Sequence, residues 1–232
     1  MNNKRGVFKE KRALEILAGA GIFAALAYIV ALVCEPIPQV SGFLSIDIKD
    51  AIIAIAAFIY GPIVAPIISL IVAAVELVTI GSDTAWYGFV MNFASSATFS
   101  TTVSLIYRYR KNLNTALIGF LCAVVSTTGV MLLLNTLVTP IFCEQRGIPF
   151  DVIGHLPTLF LPFNLSKALL NSSVAMLLYK PVINALRSAK IISKGEHKVN
   201  FNKNTIIILS VGIPLLVISI IAFVILFLKF NR

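Results

Sequence analysis

The segment PFNLSKALLNSS, residues 162–173, sets Asn164, Lys167 and Asn171 at spacings of three and four. On a helix those spacings put the three side chains on one face. Apart from His155, Lys167 is the only residue of the charged types between Asp151 and Lys180. A charge among apolar residues is costly in lipid, so it belongs against a protein interior or a water-filled cavity. Asn92 and Asn135 lie in other apolar runs, Glu76 closes a further one, and Asp47, Lys49 and Asp50 follow a proline-rich stretch. Carboxamides donate and accept together, and a single cation adds a strong donor. With few carboxylates and apolar walls, this set suits a neutral, flat or hydroxyl-rich molecule with several carbonyls and ring nitrogens. A strongly anionic ligand calls for more than one basic side chain. A second assignment stays open, because intramembrane asparagines also bond helix to helix and Lys167 would then snorkel or pair with Glu76.

The elements that position these groups are membrane elements. Of 232 residues, 58% are hydrophobic and 12% charged, far from soluble composition. The net charge of +9 comes from basic residues gathered in short segments between apolar runs, which points to anionic lipid headgroups as partners rather than nucleic acid. After the basic head MNNKRGVFKEKR comes a first apolar span, read as a membrane helix and not a cleaved signal peptide. Its ladder of Ala18, Ala20, Gly21, Ala24, Ala25 and Ala27 is a close-packing face for another helix, in this chain or in a separate subunit. Residues 34–50, CEPIPQVSGFLSIDIKD, read as an extended lid or short strand, with Asp47 or Asp50 as alternative caps for the next helix.

A short second span over 50–60 ends at Gly61-Pro62 and turns into a third that reaches Ile80. Trp86 and Tyr87 then fall at headgroup depth. The fourth span covers 89–107, with serines and threonines that bond to their own helix carbonyls, the fifth 113–138, the sixth 159–187, and a last apolar run 205–228. The basic head, RYRK (108–111) and the 180–203 stretch hold 5, 3 and 6 basic residues and place the N-terminus in the cytoplasm of a multi-pass cell-membrane protein. The expected fold is thus an all-α integral membrane bundle of six core transmembrane helices plus a seventh at the C-terminus. Residues 1–190 form the six-helix substrate-binding domain, and 191–232 a basic linker and extra helix. Cys34, Cys122 and Cys143 are too dispersed for a metal motif and read as unpaired. The chain carries no nucleophile elbow, P-loop or HExxH, and so no enzyme signature.

FLSIDIKD followed by FIYGP, then GSDTAWYGFVMNFASS, NTLVTPIF and PFNLSKALLNS, in that order, resembles the substrate-binding S components of energy-coupling factor (ECF) transporters, most closely the riboflavin-specific type. The resemblance implies a bundle that captures riboflavin, as transported ligand and not as catalytic cofactor, and imports it with a transmembrane coupling protein and two ABC-type ATPases that hydrolyse the ATP. It implies ligand contacts at Leu44, Ser45, Asp47, Lys49, Ala85, Asn92, Asn135, Asn164 and Lys167, with the 42–49 loop as cover, and docking of the coupling protein on Ala20, Ala24 and Ala27. The alternatives are an S component for another vitamin or a modified flavin, and a structural membrane protein without transport.

Overall fold

A computed structural model describes residues 2–80, 85–110, 113–188 and 203–231. Among the described residues the fold is all-α, with seven helices of 12 residues or more. These are α1 (Asn2–Cys34), α2 (Lys49–Tyr60), α3 (Val64–Val78), α4 (Ala85–Arg110) and α5 (Leu113–Leu137). The short α6 (Thr139–Gln145) and a π-helical turn (Leu156–Phe160) lead into α7 (Leu161–Ser188), and α8 (Lys203–Phe230) ends the chain.

The expectation of six spans plus a seventh is overturned. Among the described residues four helical stretches are long and apolar enough to cross a membrane: Ala13–Cys34, Trp86–Arg110, Leu113–Gln145 and Ile208–Phe230. The reason is physical. With 12 and 15 residues, α2 and α3 reach about 18 and 22 Å at 1.5 Å per residue, short of a hydrocarbon core of about 30 Å. In α7 length suffices, but Asn164, Ser166, Lys167, Asn171, Ser172 and Ser173 lower its hydropathy. The polar face read above as the site is what keeps α7 from looking like a span.

The centre of the bundle is α2, buried from Lys49 to Ala57. Ala20, Phe23, Ala24 and Ala27 of α1 close on Ile52, Ile53 and Ala56 of α2 and on Ala65, Ile68 and Val72 of α3. On its other side α2 meets Phe99 and Val103 of α4, Phe120 and Ala123 of α5, and Ala175 of α7. Gly61, at φ 108 and ψ 166, turns the chain from α2 into α3 in a backbone region essentially reserved for glycine. At the same end of the bundle the Tyr107 and Tyr179 hydroxyls bond at 2.9 Å, with Phe58 against both rings. The opposite end holds the 35–48 loop, α6, the π turn and the C-terminal end of α8, whose aromatic side chains form one cluster. The 35–48 loop forms no strand; it holds a turn with a single bridge, Val40 to Leu44. Cys34, Cys122 and Cys143 are free thiols.

Candidate ligand-binding site

At that opposite end a cavity of about 190 Å³ opens between the α1–α2 loop, α3, α4, α5, α6 and α7. Its floor is a chain of buried charges. The Lys49 ammonium donates to both oxygens of Glu76, each at 2.7 Å, and lies 3.6 Å from Asp47. Lys167 donates to Asp47 Oδ2 at 2.8 Å and to the Ser45 carbonyl at 3.4 Å. Asn92 donates to Glu76 Oε2 at 3.0 Å. All four ionic side chains are at most 11% exposed, so each depends on its partners. Asp47 lies in the loop outside the spanning helices. Burial alone favours its neutral acid, but Lys167 and then Lys49 outweigh that and hold the carboxyl down at about 2.

The helices supply these groups by local rules. Asn171 is fully buried; its carboxamide donates to the Asp47 carbonyl at 2.9 Å and accepts the Ala51 N–H at 2.9 Å. It therefore satisfies a first-turn donor of α2 from another helix, a capping role and not a ligand contact. Asp47 adds a weaker cap, accepting the Lys49 N–H at 3.3 Å. Asp50 points the other way, where the hydroxyls of Ser95, at 3.2 Å, and Ser96 donate to its carboxylate. Ser100 reaches its carbonyl at 3.3 Å. Those α4 serines were expected to bond within their own helix; they tie α4 to α2 instead.

Around the cavity, Asn164 donates to the Phe160 carbonyl at 2.8 Å, inside the stretch where the π turn joins α7. Asn135 donates to the Met131 carbonyl at 2.7 Å and accepts from Thr139 at 3.0 Å. Phe43, Phe142, Phe163 and Tyr87 provide apolar and aromatic wall, with the Tyr87 and Phe142 rings edge to face at 5.1 Å.

Leu44, Ser45, Asp47, Lys49, Asn92, Asn135, Asn164 and Lys167 all line this one cavity. Ala85 opens α4, and its side chain lies outside the described residues. Two expectations change. Lys167 pairs with Asp47, while Glu76 pairs with Lys49. Ala20, Ala24 and Ala27 are 7%, 6% and 0% exposed and are occupied by α2 and α3 of the same chain. The outward small residues of α1 are Ala18, Gly21 and Ala25. Sequence reasoning missed Tyr87. Its neighbour Trp86 is 48% exposed as an interfacial ring should be, but Tyr87 is buried, lines the cavity, and its hydroxyl has no hydrogen-bond partner among the described residues. The signal was the WY pair itself, since successive residues on a helix point about 100° apart and only one can face lipid. Among the described residues no group of three His, Cys, Asp or Glu could hold a metal ion.

Residues 16–183 match the family described as "ECF transporter, substrate-specific component". The chain is 26% identical over 195 residues to the riboflavin transporter RibU of Staphylococcus aureus (strain TCH60), covering 81% of this chain and 99% of that protein. It is 26% identical over 184 residues to the riboflavin transporter FmnP of Bacillus subtilis (strain 168), covering 75% and 97%. A solved structure of the S component of a bacterial ECF transporter superposes with a TM-score of 0.61 at 27% identity, over 77% of this chain and 99% of that one.

Proposed function

We propose, starting from the fact that the chain belongs to the ECF transporter substrate-specific components, that it binds riboflavin in the cavity beneath the α1–α2 loop and mediates its uptake. As a member of that family it is a multi-pass membrane subunit for a small vitamin-like substrate, and membership implies work alongside a coupling component and ATPase subunits. The observation that carries the riboflavin reading is the cavity lining: Asn92, Asn135, Asn164 and Lys167 converge among Phe43, Tyr87, Phe142 and Phe163. Flat aromatic walls with amide donors and acceptors at the edges match a flavin ring system, and hydroxyls of a sugar-alcohol chain match the polar floor. The two riboflavin transporters of similar sequence support the same choice.

The energy for transport comes from ATP hydrolysed by two ABC-type partners, with a transmembrane coupling protein meeting α1 on its outward small residues Ala18, Gly21 and Ala25. The cavity faces outside and the N-terminus lies in the cytoplasm. This orientation is supported by Arg108 and Arg110, which end α4 at the pole remote from the cavity. Residues 1–190 bind substrate, and α8, beyond the family match, is an accessory helix.

Purified protein carrying riboflavin should be yellow, and ligand-free protein should quench added riboflavin fluorescence. Lys167→Met and Asn135→Ala should abolish quenching while the protein remains monodisperse. A colourless preparation that leaves riboflavin fluorescence untouched refutes the reading.

A further inference from the structure

We infer that Asn231, just past the end of α8, is a positioning residue for the α1–α2 loop, and that the C-terminal end of α8 latches this loop over the cavity and slows ligand exchange. The loop is a wall of the site: Gln39, Phe43, Leu44 and Ser45 line the cavity. Most of the remaining lining comes from helices packed in the bundle, whereas this loop is irregular backbone.

Two sets of bonds hold that loop, from opposite sides. From inside, Lys167 bonds to Asp47 and Ser45, and Asn171 to the Asp47 carbonyl. From outside, the Asn231 carboxamide grips the tip twice. Its oxygen accepts the Ser41 N–H at 2.7 Å, and its nitrogen donates to the Gln39 carbonyl at 2.8 Å. The tip needs such support, because Ser41 sits at φ 54 and Gly42 follows at φ 76. A non-glycine residue in the left-handed region is strained and persists where its surroundings hold it. Val40 is fully buried in a cluster that includes Leu226 of α8, and Phe43 of the loop and Phe223, Phe227 and Phe230 of α8 pack against that cluster. A ligand that takes hydrogen bonds from Lys167 competes with the inner set. The outer set touches no ligand group and sets a barrier of its own. It also lies beyond residues 16–183, so it is an addition to the matched family region.

The flavin arm of the test rests on the riboflavin reading, and the exchange arm does not. Full-length wild type, Asn231→Ala and Asn231→Asp are compared in lipid nanodiscs. One measurement is hydrogen–deuterium exchange, the other riboflavin dissociation, read as fluorescence recovery during a chase. In Asn231→Ala the amides of residues 40–44 should exchange about three- to tenfold faster, and riboflavin should leave faster by a similar factor. Exchange in α2 to α5 should be unchanged. Asn231→Asp keeps the acceptor for Ser41 and loses the donor to Gln39, so it should fall between. Unchanged loop exchange overturns the latch, as does faster loop exchange with unchanged flavin release. Faster exchange throughout the helices overturns it too, since Asn231 would then serve global stability alone. If wild type binds no riboflavin, the functional reading fails by itself and the exchange arm decides the latch.

Discussion

Tyr87 shows how much a single hydroxyl can reveal. A buried hydroxyl without a partner carries a desolvation cost of about 1–3 kcal/mol that a ligand acceptor would remove. Tyr87→Phe should therefore leave thermal stability unchanged or raise it, while weakening riboflavin binding about tenfold in a fluorescence titration. Equal affinity in both proteins would make Tyr87 simple wall. Asp47 gives a pH test with a definite sign. Its carboxyl is held at about 2 against an ordinary 3.8, so its pairing with Lys167 contributes fully above about pH 4 and is lost as pH falls towards 2. Melting temperature should be insensitive to this group between neutral pH and about 5, then fall on acidification. In Asp47→Asn that acid-side loss should shrink. The helical spacing of Asn164, Lys167 and Asn171 exposed this polar face in the sequence. Asp47 as the Lys167 partner was not legible, because its contact spans 120 residues and depends on how a proline-rich loop folds back.

At the scale of elements, periodicity says which residues share a face but not which way the face points. In water, burial of apolar surface breaks the tie; in lipid both sides are apolar and small residues pack either way. That is why the α1 ladder could be read in one register while the fold turns Ala20, Ala24 and Ala27 inward. The same loss of contrast made α2 and α3 look like spans. Between them Gly61 occupies a conformation that costs about 1–3 kcal/mol for other residues. Gly61→Ala should lower the detergent melting temperature by that destabilisation while riboflavin affinity in the surviving fold stays within about twofold, since the turn lies at the far pole from the cavity. A large affinity loss would mean that the α2–α3 turn is coupled to the site.

For the whole molecule, the bundle was legible as an all-helical membrane protein and its family was legible from ordered motifs, whereas its span count was not. The Lys49–Glu76 pair has a consequence for how the chain is made. Neither α2 nor α3 is long enough to stand alone across a bilayer, and each carries one half of a buried ion pair. Leaving either charge unpaired costs about 3–5 kcal/mol. We expect the insertion machinery to release α2 and α3 together, as a hairpin whose charges largely neutralise each other, and not one at a time. Glu76→Leu should lower the fraction of newly synthesised chains that resist alkaline extraction from membranes, and Lys49→Met with Glu76→Leu should restore most of it. Equal insertion of all three would show that the pair forms only after the bundle has assembled.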